Sequence, residues 1–447
     1  VLNKSEAEVT TGELLSIGAA EHQELNVLRD YWRGRQPLPV IPNGVPNEVV
    51  QMAEMSRVNV CKLVVDVPAQ SMYVDGFRDE STDDDPTWDV WQANKMDGHQ
   101  SAIFRAAFAY GTSYLKVVPG DSGPVMRGLS PRRCTAVYDD DPDWPVFALE
   151  TVKRYGRTQW RLYDNEAIYT LENDEAAARE QNRDYAPALV SEIGHGAGVC
   201  PIVRFRNVED LDGDDDIDDT WSEIRSIIPL QDQLDFTTFD LLVAQHFGAF
   251  RQRYIMGWLA DSENDKLKAS ASLIWTFDDP EVKVGEFGQT ELSGYLKSRQ
   301  ATMEQFGVVS QVPPHNLLGQ MVNLSAEALV AAEIGHSRKM AEREIRFGEA
   351  LEQAFGLVGG YIGQPVSDGA QVRWRDTEAR SFAATVDGLA KLAQSLNVPV
   401  EGLWEKIPGV TQQDVTNWKA LRQSSDAFSV IDAELRRQAT PSDGNNP

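Results

Sequence analysis

A chain of 447 residues with 42 % hydrophobic and 25 % charged residues is long enough for about two or three domains with real cores, and too apolar to be intrinsically disordered. Its 69 acidic residues outnumber 42 lysines and arginines, for a formal charge of −27. Affinity for nucleic-acid phosphate comes mainly from Lys and Arg, so this balance argues against a transcription factor or a sequence-reading nuclease. Three cysteines (Cys61, Cys134, Cys200) stand far apart without CxxC or Cys/His spacing, which points to a reducing compartment and no disulfide framework. No apolar run approaches the ~18 residues of a bilayer span. The polar, acidic stretch 1–12 has no signal-peptide pattern, so a soluble, intracellular origin is expected.

In chain order, Leu25, Leu28 and Trp32 recur at helical spacing within 13–35, and Gly34 closes the run. Pro37, Pro39, Pro42 and Pro46 break it. A second helix is predicted from Asn47, with Val50, Met55, Val58 and Leu63 as core candidates. Ser71–Val74 reads as a short strand, followed by an acidic loop at 79–85. Trp88, Trp91 and Met96 fall on a further helix, and Ile103, Ala106, Ala107 and Tyr110 on the next, ending before Gly111. From Thr112 the period changes to two. Strands are predicted at 114–118, 136–138, 147–152, 160–163 and 167–169, as one antiparallel sheet closed by Pro201–Phe205.

An acidic hinge occupies 209–219, and Thr220-Trp221-Ser222-Glu223 fits a capping box. Pro229 suits the first turn of a helix running to Phe247. That helix has Leu230, Leu234 and Leu241 on one side and Phe236, Phe239, Val243 and Phe247 on another, so both faces need cover, from a core or from a ring of identical helices. Residues 250–290 read as a small mixed unit with strands at 253–256, 273–277 and 282–287. A helix resumes near Leu292. After an uncharged, mobile loop around Pro313-Pro314, a long helix opens with Ser325 as N-cap and Glu327 in its first turn, and no cluster stops it before Gly359-Gly360. Gln371–Arg375 is a strand, 378–424 is helical with breaks at 397–399 and 408–409, and the tail from Thr440 is expected to be disordered.

Little in the chain looks catalytic. Gly194-His195-Gly196-Ala197-Gly198 precedes a strand instead of a helix N-terminus, so it reads as a flexible connection and not as a phosphate loop. Asp212, Asp214, Asp216 and Glu223 partly match calcium-loop spacing, but Ile217 stands where the turn needs glycine, which favours a solvated acidic linker over a metal site. The six histidines form no HxH or HExxH and lie near no cysteine. No Walker A loop and no GxSxG occurs, so no cofactor is expected. Arg338-Lys339, Arg343 and Arg346 interleave with Glu333, Glu342, Glu344 and Glu349 and read as exposed charge pairs on a helix.

Taken in order, several stretches resemble the portal proteins of tailed bacteriophages, in particular those of long-tailed phages of actinobacteria. They are Leu28-Arg29-Asp30-Tyr31-Trp32-Arg33-Gly34, Asn59–Asp66, Tyr110–Val117, Pro201–Asn207, Pro229-Leu230-Gln231-Asp232 and the Asn323–Leu329 helix start. Each is weak alone; their order and spacing span nearly the whole chain. The resemblance implies an α+β subunit of a ring, typically of about twelve copies around a DNA channel. A helical and antiparallel-sheet wing would occupy 1–217, and a linker helix and first stem helix 218–248. An inserted α/β clip would follow at 249–290, a second stem helix at 291–308 and a tunnel loop at 309–324. The long spine helix would be 325–358, a wing return strand 359–380, and a helical crown with the tail 381–447.

Carried over by position, Gln311, Val312, Pro313, Pro314, His315, Asn316 and Gln320 would face DNA without reading bases. Arg253, Tyr254, Trp258, Asp261, Lys266 and Lys268 would dock the terminase or adaptor. An uncharged loop suits sliding duplex, because several Lys/Arg contacts would bind it tightly. The implied partners are further copies of the chain, the major capsid and scaffolding proteins, the terminase large subunit, a head-completion adaptor and double-stranded DNA, with no membrane. The implied place is the portal vertex of the virion, after assembly in the host cytoplasm. The rival readings are a metal-dependent enzyme acting on nucleotides or nucleic acid through the 210–223 carboxylates, and a capsid or tail structural subunit.

Overall fold

The N-terminal helix α1 (Lys4–Trp32) starts well before the Glu13 at which its apolar spacing becomes visible. Asn3 supplies the reason. Its Oδ1 accepts the Glu6 N–H at 3.0 Å, and the Glu6 carboxylate accepts the Asn3 N–H at 2.8 Å, a reciprocal cap inside the stretch that sequence pattern left as a polar terminus. The computed structural model describes residues 2–78, 86–154, 157–180, 182, 184–208, 221–249, 253–256, 282–286, 291–318, 326–367, 369–375, 382–404, 406–407, 409–410 and 414–422.

The helix expected from Asn47 is two, α2 (Asn47–Met55) and α3 (Cys61–Ser71). Side chains from a distant helix hold the break between them. The Val58 N–H donates to Asp235 at 3.0 Å and the Val60 N–H to Gln231 at 3.1 Å, so the backbone exchanges helical bonds for tertiary ones. Val49, Met52 and Ala53 face inward on α2, whereas Met55, a core candidate by spacing, is 64 % exposed. Strand β1 (Val74–Arg78) lies downstream of the predicted Ser71–Val74 because Ser71 stays in α3. Then come α4 (Pro86–Ala93) and α5 (Met96–Tyr110), which Gly111 ends at φ 86° in the left-handed region.

The β region forms two sheets, not one. β2 (Thr112–Val118) lies between β3 (Val125–Leu129) and β9 (Ile202–Arg206) in a three-stranded sheet. β4 (Cys134–Val137), β5 (Phe147–Arg154), β6 (Arg157–Tyr163), β7 (Ala167–Asn173) and β8 (Pro187–Gly194) form a five-stranded antiparallel meander. The short α6 (Glu175–Glu180) connects its last two strands. The predicted closing strand therefore joins β2 and not the larger sheet. β3 and β8 escaped the sequence reading. β3 carries Gly128, where a Cβ would meet the Ile103 side chain at 2.5 Å, and β8 is largely exposed, so neither shows a clean apolar alternation.

A 3₁₀ turn (Arg225–Ile227) leads into α7 (Ile228–Ala249), and a hairpin of β10 (Arg253–Met256) and β11 (Lys283–Glu286) follows. The strand expected at 273–277 lies outside the described residues, as does the tail. α8 (Ser293–Ser310), α9 (Pro314–Leu318) and α10 (Ala326–Ile362) come next. β12 (Gln371–Trp374) pairs antiparallel with β1, joining segments about 300 residues apart in sequence. The breaks expected near 397–399 and 408–409 separate α11 (Phe382–Leu396), α12 (Val400–Trp404) and a helical 414–422.

α10 has 37 residues, about 55 Å at 1.5 Å per residue. It runs straight through Gly359-Gly360, the pair that sequence pattern took as its stop. Gly359 serves close approach instead: a Cβ there would lie 2.5 Å from the Gln364 carbonyl of the returning chain. The C-terminal half of α10 anchors the core. Phe347 stacks on Phe104 of α5 at 5.5 Å and meets Phe205 of β9 at 5.7 Å, while Phe355 stacks on Phe77 of β1 at 4.1 Å and lies 5.6 Å from Trp91 of α4. Phe355→Ala should lower unfolding free energy by about 3–5 kcal/mol, measured by denaturant titration, because β1 and α4 both close on that one ring.

Candidate functional site

The segments singled out by sequence converge where α8 ends. Gln311 takes φ 55° and stops α8 in the left-handed region. Val312 and Pro313 then turn inward, Val312 being 2 % exposed within the main core. α9 folds back on α8, where Gly307 leaves room: a Cβ there would meet Leu317 at 3.3 Å. The predicted uncharged loop is thus packed at its root. Gln311 and Asn316 are exposed, and His315 is partly covered, its Nε2 3.8 Å from Glu333 of α10. Gln320 lies outside the described residues.

Beneath this turn sits a buried charge cluster. Lys339 of α10 donates to the Ser310 carbonyl at 3.0 Å, one of the unsatisfied C-terminal carbonyls of α8, and to the Glu223 carboxylate. Arg343, one turn on, donates to Asn207 Oδ1 at 2.8 Å and lies 3.7 Å from Glu223. Asn207 in turn donates to Glu223 at 3.0 Å and to the Trp221 carbonyl at 2.7 Å. Lys339 and Arg343 are only 8 % and 6 % exposed, so they are not the solvated helix-face pairs that i,i+4 spacing suggested. Sequence alone could not separate them from Arg338, because the distinction rests on which face of α10 meets β9 and α8.

Glu223 is therefore committed to two cations and an amide, which removes it from the calcium-loop pattern. It does not close a capping box either; Ser222 accepts the Ile224 N–H and donates to the Ala109 carbonyl at 2.6 Å. Asp212, Asp214 and Asp216 lie outside the described residues, and among the described residues no group of three or more metal-ligating side chains occurs. His195 is buried, its Nε2 3.0 Å from the Asp164 carbonyl at the root of a turn, a structural role for the glycine-flanked histidine. Arg253 and Tyr254 lie on β10; Trp258, Asp261, Lys266 and Lys268 fall outside the described residues.

α7 is covered on one side only. Leu234 is fully buried and Phe239 and Leu241 nearly so, whereas Phe236 and Phe247 are 50 % and 45 % exposed. Asp235 accepts from Gln36 at 2.8 Å, as well as from Gln231 and the Val58 N–H, and fixes α7 to the break between α2 and α3. Burial pushes its carboxyl up despite those donors.

His336 lies one turn before Lys339, its Nε2 3.1 Å from Ser71 Oγ. Burial, and then the Lys339 charge, hold its pKa below the ordinary 6.5. A histidine with a lowered folded pKa contributes stability that is present above 6.5 and lost as pH falls below it, because the unfolded chain binds the proton first. Stability should therefore fall as pH drops below about 6.5, and His336→Asn should flatten that part of the profile. Glu223→Ala strands two buried cations and should cost about 3–5 kcal/mol in denaturant unfolding.

The family model "Phage portal protein, SPP1 Gp6-like" matches residues 12–427. The portal protein of Mycobacterium phage L5 is 26 % identical over 415 residues, covering 86 % of this chain and 82 % of that protein. The portal protein of Mycobacterium phage D29 is 25 % identical over 417 residues, with the same coverage. Among solved structures, a chain from the neck of an empty gene transfer agent particle aligns at TM-score 0.49 and 15 % identity, covering 81 % of this chain and 94 % of that one. A chain of the native gene transfer agent virion aligns at TM-score 0.49 and 14 % identity, covering 83 % and 97 %. With a family match running from the middle of α1 past the last described helix, the chain belongs to the SPP1 Gp6-like family of phage portal proteins.

Proposed function

We propose that this chain is a non-enzymatic subunit of a ring of about twelve copies, set at one capsid vertex, through which double-stranded DNA enters and leaves. The family match over 12–427 carries the reading. In support, the long helices keep large apolar side chains in water: Phe236 and Phe247 on α7, Leu296 and Val308 on α8, Ile345 on α10. Apolar surface spread over adjacent helices marks an interface. In this reading 1–217 is the wing, 218–248 and 291–308 carry the two stem helices, 249–290 is the clip, 309–324 the tunnel loop, 325–358 the spine, 359–380 the wing return strand and 381–447 the crown.

The tunnel loop presents Gln311 and Asn316 toward DNA, with Val312 and Pro313 as its buried anchor. Lys339 ties the end of α8 to the spine, so a push on the loop is borne by a rigid helix of about 55 Å. The clip hairpin and the residues between its strands dock the terminase during packaging and the adaptor afterward. Energy for translocation comes from that separate ATPase, since the sequence holds no Walker A loop. Capsid and scaffolding proteins are the further partners, met in the host cytoplasm before the ring becomes part of the virion.

Native mass spectrometry with negative-stain imaging of the purified protein should show rings of about twelve subunits with a central hole; a monomer with metal-dependent catalysis would overturn the reading. A photo-cross-linking residue at Gln311 or Asn316 should capture DNA in filled particles. Failure there, with success at other channel positions, would move the tunnel loop elsewhere.

A further inference from the structure

A cleft of about 1300 Å³ opens between α1, α5, β3 and the β4–β5–β6 face. That exceeds the ~300–1000 Å³ of small-ligand sites and suits a polypeptide segment. Its charge is opposite to that of the chain. Among the described residues, Arg33, Arg127, Arg132, Arg133 and Lys153 line it, with Glu150 as the one carboxylate, in a protein of net charge −27. Glu150 is already neutralised, accepting from buried Lys116 at 2.6 Å and from the Tyr163 hydroxyl at 2.6 Å. Arg33, Arg127, Arg133 and Lys153 are exposed and make no ion pair among the described residues. Arg132 donates to Asn26 at 2.9 Å, while its buried Nε has no partner. Bringing like charges together costs free energy, and an anionic occupant would recover it.

The chain carries a matching anion. The connection between β4 and β5 holds Asp139, Asp140, Asp141 and Asp143, all exposed. It is rigid: the Pro142 carbonyl accepts from Arg204 at 3.0 Å and from Arg206, the Asp143 N–H donates to Asp141 at 2.9 Å, and Arg204 lies 3.7 Å over the Tyr138 ring. A turn already held in place docks with little ordering cost. These aspartates sit at the tip of the same hairpin whose base, at Arg132, Arg133, Glu150 and Lys153, lines the cleft. A paired hairpin cannot bend its tip into its own base, so this turn can meet such a cleft only on another copy.

We propose that the basic cleft receives the Asp139–Asp143 turn of a neighbouring copy, head to tail around the ring. Two different surfaces on each subunit make a heterologous contact, the type that closes into rings. The apolar walls, Leu15, Trp160 and Tyr185, suit a protein partner better than duplex phosphate, whose interfaces are more polar. The inference rests on the ring reading above.

The test is a charge swap in the full chain, at exposed positions that leave the core alone. R127E/R133E and D139R/D140R should each raise the protein concentration at half-assembly by about tenfold or more at low salt, read by native mass spectrometry. The fourfold variant should recover assembly, and subunits mixed from the two double variants should cross-assemble. Double variants that assemble like the wild type, or a fourfold variant without recovery, overturn the proposal while leaving the portal reading intact. So would R127E/R133E rings that form normally but lose a labelled DNA duplex, which would assign the cleft to DNA. A wild-type chain monomeric at every concentration would overturn this contact, and the same monomer with metal-dependent catalysis the ring reading as well.

Discussion

The seating of the long helix α10 on a bed of aromatic rings holds the rest of the structure in place. Phe347 and Phe355 lie two turns apart on one face and touch α5, β9, β1 and α4, elements drawn from most of the N-terminal half. Each ring buries on the order of 150–250 Å², so a few contacts here outweigh many surface ion pairs. Once that face is fixed, the opposite faces of α10 and of the helices beside it are committed to whatever lies outside the subunit. The exposed Ile345 sits between buried Arg343 and Phe347 for that reason.

Charge is handled differently inside and outside. The interior places ions in paired groups: Glu223 with Lys339 and Arg343, Glu150 with Lys116 and Tyr163, Asp75 with Arg373 at 2.8 Å across the β1–β12 pair. Such groups add little net stability compared with apolar packing, but they penalise misregistered alternatives strongly. Outside, the large acidic excess keeps the surface from adhering to phosphate, which fits a channel through which DNA slides. The β4–β5 hairpin departs from that rule, with cations at its base and aspartates at its tip.

Much of the element order was legible because period and punctuation are local. Gly111 marked the end of α5, Pro229 the first turn of α7, and the strands at 147–152 and 160–163 announced themselves by alternation. Misreadings occurred where a distant partner overrode local signals. The gap between α2 and α3 depends on Gln231 and Asp235, some 170 residues away in sequence. Gly359 looked like a stop and proved to be a place where the returning chain crosses the helix.

The sequence by itself determined the α+β class, the long helix, the net acidic charge and a resemblance to phage portal proteins that the family match bears out, since propensity, period and composition need no neighbours to be read. The tertiary structure alone decided which of the charges on α10 are buried, that Val312 anchors the turn while Gln311 stays in water, that Glu223 answers to Lys339 instead of a calcium loop, and that five cations among the described residues share one cleft. Those facts depend on which faces meet, and faces meet only when segments far apart in the chain have packed.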